Sequence, residues 1–251
     1  LSSNPFDVLR NSDKKGITAY TKSDSQPNLR NYLLVSELNS LLDLLENEGN
    51  FKVYTFFRFL AFSGCRKGEA LALTWDDIDF VSNQVTISKA VSSAKSVGLY
   101  QTGTKGDKAT LRKARPVKTR RIALDDETIM VLKEWQSKQK DMLKISNIKY
   151  SRKKQLVFQN TENKFIYPTQ TERWLSKARK TLSFAKDVKF TPHILRHTHA
   201  TICSANGVPL IDIQHRLGHS DLKTTSNYYV HATEQSDLNV CNTFATALLT
   251  P

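Results

Sequence analysis

The chain reads as an α+β protein, mostly helical, with a small three-stranded antiparallel sheet. Leucines and phenylalanines recur at helical spacing over most of the chain from about residue 32. Alternation of apolar and polar residues is confined to short stretches around Ile78, Val85 and Ile122. Breakers fall between these segments: Gly64 and Gly207 at helix ends, and Pro209 at a helix start.

Residues 1–30 are rich in Ser, Asn, Asp, Lys and Pro and read as a linker. Ser36 is placed to cap a helix carrying Leu38, Leu41, Leu42 and Leu45. The next helix, about 53–62, holds Phe56, Phe57, Phe59 and Leu60. It is apolar nearly all round, so it is expected to be buried, with Gly64 ending it. A shorter helix carries Glu69, Leu71 and Leu73. Ile78 and Phe80 start the strand pattern, Ser82-Asn83 turns the chain, and Val85, Ile87 and Val91 continue the alternation. A polar stretch with Gly98, Gly103 and Gly106 reads as a hairpin arm or loop, and Ile122 and Leu124 mark the third strand. Asp125 or Asp126 caps a helix carrying Ile129, Leu132, Trp135 and Met142. Residues 145–168 read as loop, with a short strand at 156–158. A helix over about 170–182 puts Trp174 and Ala178 on one face, and another over 193–206 stops at Gly207. Pro209 opens a helix with Leu210, Ile213 and Leu217 inward. A short helix at about 222–228 precedes an amphipathic tail helix, about 233–249, with Leu238, Cys241, Phe244 and Leu248 on its apolar face.

Composition narrows the function. The chain has 251 residues, 39% of them hydrophobic, enough for one large core or two small ones. No apolar run approaches the ~18 residues of a membrane span, and the first ten residues are too polar for a signal peptide. The three cysteines, Cys65, Cys203 and Cys241, form no CxxC pair, which speaks against a disulfide scaffold and for a reduced, cytoplasmic setting. The net charge of +13 points to a polyanionic partner. Its largest concentration lies over 85–121, where Lys89, Lys95, Lys105, Lys108, Arg112, Lys113, Arg115, Lys118, Arg120 and Arg121 are opposed by Asp107 alone. Such a ribbon suits backbone phosphates, although a solvated loop has the same composition.

Three clusters can carry chemistry. His193 and Arg196, three apart, share a helix face and can clamp phosphate oxygens. The pairs His193/His197 and His199/Cys203 have zinc-like spacing, but Ile194 stands where HExxH needs glutamate, so no metal is expected. Leu217-Gly218-His219 lies ten residues before Tyr229, which can form a phosphotyrosyl ester if a neighbour takes its proton. Gly64-Cys65-Arg66-Lys67-Gly68-Glu69 puts an arginine where a helix begins.

In this order, the clusters resemble the tyrosine recombinase, or phage integrase, family. One block is Gly64 to Glu69 followed by Leu73-Thr74-Trp75-Asp76-Asp77-Ile78. The other is His193-Ile194-Leu195-Arg196-His197, then Leu217-Gly218-His219, then Thr225-Ser226-Asn227-Tyr228-Tyr229-Val230-His231. The likeness covers nearly the whole chain from about Tyr32, and is most like integrases of phages or conjugative transposons. It implies the catalytic fold of that family over 31–251, with 1–30 as an interdomain linker. Asn4-Pro5-Phe6 resembles the end of a preceding core-binding domain, so the chain reads as a fragment of a longer enzyme.

The resemblance also implies roles. Arg66 and Arg196 grip the oxygens of the scissile DNA phosphate, and His193 and His219 complete the cradle. Tyr229 is the nucleophile, and His193 the better candidate to accept its proton. Glu69 and Asp76 support Arg66 and the helix junction, while His197 and His231 lie behind the cradle. A hairpin lysine serves as general acid. Lys118, in Pro116-Val117-Lys118-Thr119, carries the motif but lacks the usual spacing to the third strand; Lys113 has the distance without the motif, and Lys105 is a third candidate. Lys89, Lys105, Lys108, Arg112, Lys113, Arg115, Arg120 and Arg121 are expected to hold DNA backbone. The chemistry needs no cofactor. The implied assembly is a homotetramer on double-stranded DNA, exchanging tail helices between subunits, with a monomer off DNA. A tail packed on its own domain is the competing expectation. The rival functions are a non-catalytic DNA-binding module of the same fold and a type IB topoisomerase.

Overall fold

The computed structural model describes residues 29–92, 98–101, 119–151 and 153–218. The chain divides into Leu1–Arg30 and Asn31–Pro251; the elements below belong to the second unit. They are, in order, α1 (Val35–Asn47), α2 (Phe51–Ser63), α3 (Lys67–Ala72), a 3-10 turn (Trp75–Asp77), β1 (Ile78–Asp79) and β2 (Gln84–Ile87). Then come β3 (Lys89–Ser92), β4 (Gly98–Gln101), β5 (Arg120–Ala123) and α4 (Asp126–Ile145). Last are α5 (Gln170–Trp174), α6 (Ser176–Thr181), a 3-10 turn (Ser183–Lys186), α7 (Ile194–Ala205) and α8 (Leu210–Leu217). The mostly helical α+β class holds, with strands ordered β1-β2-β5, all antiparallel.

Helix α2 is the axis of the core. Ten of its thirteen residues are buried, and α1, α3, α4 and α7 all pack on it. An all-round apolar helix can only be stable when surrounded in this way. Phe56 meets Phe158 and Trp174 edge-on, with ring centres 5.1 and 5.3 Å apart. Asn50 caps the helix start through Val53 N, and Gly64 closes its end in the left-handed conformation, φ 65°. A second knot joins α4 to the middle of the chain. The buried Gln139 accepts from Trp75 Nε1 at 2.6 Å and donates to Leu156 O at 2.9 Å. Trp135 Nε1 donates to Val157 O at 2.7 Å.

Several local expectations are corrected. Ser36 lies inside α1 instead of capping it; the free amide of Leu34 donates to the Glu37 carboxylate at 2.7 Å, so an acid in the first turn satisfies the helix start. Val91 does not extend the main sheet: β3 pairs with β4 as a separate two-stranded ladder. Residues 156–158 form no strand; Leu156 makes an isolated bridge with Thr74. Met142 is exposed, because the inward face of α4 runs through Gln139 and Leu143, four residues apart. The 170–182 helix breaks at Leu175, whose amide reaches back three residues to Glu172 O and whose side chain is buried. Asp125, the first of the two proposed caps, accepts from Thr128 N at 2.9 Å. The expected helices at about 222–228 and 233–249 lie outside the described residues.

Helix α3 rests on β3, and the approach requires a glycine. A Cβ on Gly68 would stand 2.5 Å from the Val91 carbonyl oxygen, which is backbone and cannot step aside. Gly68→Ala is therefore expected to lower unfolding stability by about 1–3 kcal/mol. Denaturant unfolding checks this, and a stability equal to wild type would mean that α3 and β3 are not packed so closely.

Candidate active site

The site grows from the turn between α2 and α3. Arg66 occupies the N-cap position of α3. Glu69, three residues on, reaches back and accepts from the Arg66 amide at 2.8 Å and from Arg66 Nη1 at 3.0 Å. Glu69 also takes two bonds from Arg120 on β5, at 3.2 and 2.7 Å. The side chains of Glu69 and Arg120 are 1% and 2% exposed, so this pair is fully inside the protein. Burial pushes the Glu69 carboxyl up, but hydrogen bonds and charge from Arg120, then the Arg66 charge, outweigh it and hold it below its ordinary value.

Arg196 arrives from α7 and is 1% exposed. Its Nη1 donates to Gly64 O at 2.8 Å and its Nη2 to Leu217 O at 2.7 Å. One guanidinium thus ties the end of α2 to the end of α8. Burial, then the nearby Arg66 charge, lowers it to about 10, so it stays charged at neutral pH. Gly64 permits this junction twice over, through its left-handed φ and its lack of a side chain. A Cβ there would meet Leu217 Cδ2 at 2.7 Å and His199 Cδ2 at 2.8 Å.

His193 is exposed and holds the N-cap position of α7. Its ring meets that of His197 edge-on, centres 4.8 Å apart. Partial burial, followed by the charges of His197, Arg196, Arg66 and Lys67, pushes the imidazole down to about 4. It is neutral at pH 7 and can accept a proton. Burial and the Glu69 charge push the Cys65 thiol up to about 12, so it is no nucleophile. His199 is engaged on both ring nitrogens, with Ala61 O at 2.9 Å and Arg216 Nε at 2.9 Å. That leaves it no lone pair for a metal. No cluster of three or more His, Cys, Asp or Glu suited to a metal occurs among the described residues.

The structure brings Arg66, Glu69, His193, His197 and Arg196 into one neighbourhood. Three expectations change. Arg120, read as a DNA-backbone contact, is instead the buried partner of Glu69. Lys89, read in the same way, is nearly covered and pairs with Asp77 at 2.7 Å. Asp76 is exposed; the carboxylate at the helix junction is Asp77, which accepts from Thr74 N and Thr74 Oγ1, both at 2.7 Å. Arg121 is exposed on the opposite face of β5. Lys105, Lys108, Arg112, Lys113, Arg115, Lys118, His219, Tyr229 and His231 lie outside the described residues. The Arg120 signal was present in the chain, since Arg120 and Ile122 alternate onto one strand face.

Removing the Glu69 carboxylate would leave Arg120 buried and unpaired. Glu69→Ala is expected to cost about 3–5 kcal/mol of stability. In wild type the ion pair's contribution is full above the ordinary glutamate range and is lost as pH falls through the lowered value of Glu69. Urea titrations of both proteins across pH 3–7 check this; a loss under about 1 kcal/mol would contradict it.

The phage integrase family model matches residues 31–236. The chain is 27% identical over 230 residues to the integrase of Staphylococcus phage L54a, covering 89% of this chain and 62% of that protein. It is 28% identical over 180 residues to the ICEBs1 integrase of Bacillus subtilis strain 168, covering 70% and 44%. It therefore spans about half the length of these curated relatives. The integrase of transposon Tn1549, solved in complex with transposon right end DNA, has the same fold, with a TM-score of 0.69 at 23% identity over 98% of this chain and 73% of that one. The motif blocks, the junction they build and a family match from residue 31 to 236 agree: the chain belongs to the phage integrase family.

Proposed function

We propose that this chain is the catalytic domain of a site-specific DNA recombinase, an integrase that cuts and rejoins duplex DNA through a 3′-phosphotyrosyl intermediate. One observation carries the reading: Arg66 and Arg196, from opposite ends of the sequence, meet around Gly64 beside a neutral His193. Two fixed cations and a proton acceptor are what phosphoryl transfer to a tyrosine needs. The Tyr229 hydroxyl attacks the scissile phosphorus, His193 accepts its proton, and the bond to the 5′-oxygen breaks. Arg66, Arg196 and His219 hold the phosphoryl oxygens, and Lys118 gives its proton to the departing 5′-oxygen. A 5′-hydroxyl from the partner duplex reverses the step and joins new strands. The ester conserves the bond energy, so the reaction draws on no cofactor. His197 and His231 serve as supporting residues to this cradle.

Residues 1–30 serve as an interdomain linker in this reading, and 31–251 form the catalytic domain. The exposed Arg121, with Lys105, Lys108, Arg112, Lys113 and Arg115, holds backbone phosphates. On DNA the enzyme works as a homotetramer exchanging tail helices over about 233–249. It acts on cytoplasmic DNA, a setting in which the free thiols of Cys65 and Cys203 persist.

A nicked duplex carrying the element's own ends tests the chemistry. Wild type is expected to be trapped as a covalent adduct and Tyr229→Phe to give none. An adduct with the Phe variant would remove Tyr229 as the nucleophile. Absence of an adduct with wild type would favour a DNA-binding module, and relaxation of supercoils without strand exchange would favour a type IB topoisomerase.

The general acid is separable by its leaving group. A 5′-thiol departs without protonation, so a 5′-thio substrate should restore cleavage to Lys118→Ala, which fails on ordinary DNA. If Lys113→Ala or Lys105→Ala is the rescued variant, that lysine takes the role.

A further inference from the structure

Helix α8 ends where Leu217-Gly218-His219 begins. The last carbonyls of a helix have no partner within it, and here two buried arginines take them. Arg120 Nε donates to Arg216 O at 2.8 Å, and Arg196 Nη2 to Leu217 O at 2.7 Å. Gly218 then turns in the left-handed conformation, φ 67°, and a Cβ on it would meet Arg120 Nη1 at 2.9 Å. The side chain of Arg216 completes the arrangement. Its Nε donates to His199 Nε2 at 2.9 Å, and its Nη2 donates to Phe62 O at 2.8 Å and to Ala123 O at 3.0 Å. Phe62 lies two residues before Gly64, and Ala123 ends the strand that carries Arg120. Arg216 therefore fastens α8 to α7, α2 and β5 at once.

We propose that Arg216 is a positioning residue for strand cleavage. It sets the turn at Gly218, the residue before His219 in sequence, against the frame holding Arg66 and Arg196. The inference rests on the recombinase reading above. It needs an arginine in particular: three acceptors on three elements are met by one planar fork, and a single ammonium cannot span them. No part of Arg216 is assigned to DNA; its side chain is committed to the protein.

A residue that only stabilised the fold would slow cleavage whatever stands at position 219. One that acts through His219 loses its effect when His219 is gone, which a double-mutant cycle resolves. The rate of adduct formation on the nicked duplex is measured at saturating DNA, with DNA affinity measured separately. Arg216→Ala is expected to slow adduct formation about tenfold or more, with Kd within about threefold of wild type. In a His219→Ala background, the same change should slow the reaction by less than about threefold. Arg216→Lys keeps the charge and the buried stem, and it carries the cycle if Arg216→Ala does not fold; it too is expected to be slow. A wild-type rate in both variants overturns the proposal. So does a full additional slowing in the His219→Ala background. If wild type itself forms no adduct, the recombinase reading fails first, and this inference falls with it.

Discussion

The buried Glu69 carboxylate holds the centre of this domain together. Among the described residues it is the one acid bonded to both Arg66 and Arg120, and it is almost completely removed from water. A buried charge of this kind costs several kcal/mol unless it is paired and hydrogen-bonded. Glu69 is satisfied by the start of its own helix and by a strand some fifty residues later in the chain. It therefore fixes α3 and β5 relative to each other, and with them the Arg66 guanidinium. The ion pair specifies a geometry more than it adds net stability.

Helix ends supply the second constraint. The carbonyls at the ends of α2 and α8 are taken by Arg196, Arg120 and Arg216, in place of water or further backbone. A guanidinium suits a helix C-terminus both as a donor and as a cation against the negative end of the dipole. Arg196 shows the economy of the plan, for it joins two helix ends and also stands beside Arg66. Shifting either helix would move the Arg196 guanidinium.

Much of this was legible in the chain. Apolar periodicity announced α2 as the buried axis, and Gly64 and Gly207 marked true helix ends, both at positive φ. Arg66, Glu69, His193 and Arg196 were readable because short local spacings place them at helix starts. What escaped were the long-range pairings. Arg120 was counted within a charge run, and only its alternation with Ile122 hinted at an inward face. Asp77 replaced Asp76 because the 3-10 turn after Thr74 sends its third residue, not its second, back to the cap. Lys89 looked like a DNA contact because no local pattern shows that Asp77 will meet it. Arg216 shares a helix face with Ile213, three residues earlier, yet its three partner elements converge only in three dimensions.

Three arginines, Arg66, Arg120 and Arg196, act on one carboxylate, that of Glu69. Burial, then the charges of Arg66 and Arg120, lower the affinity of Arg196 for its proton against the opposing pull of Glu69. Three cations share one acid there, so the centre of the folded domain is positive on balance. A phosphodiester brings one negative charge, and its entry would lighten that charge instead of adding to it. Conformational stability and the attraction of an anion are then two faces of one charge balance, and a mutation that eased the repulsion would also weaken the pull on an anion.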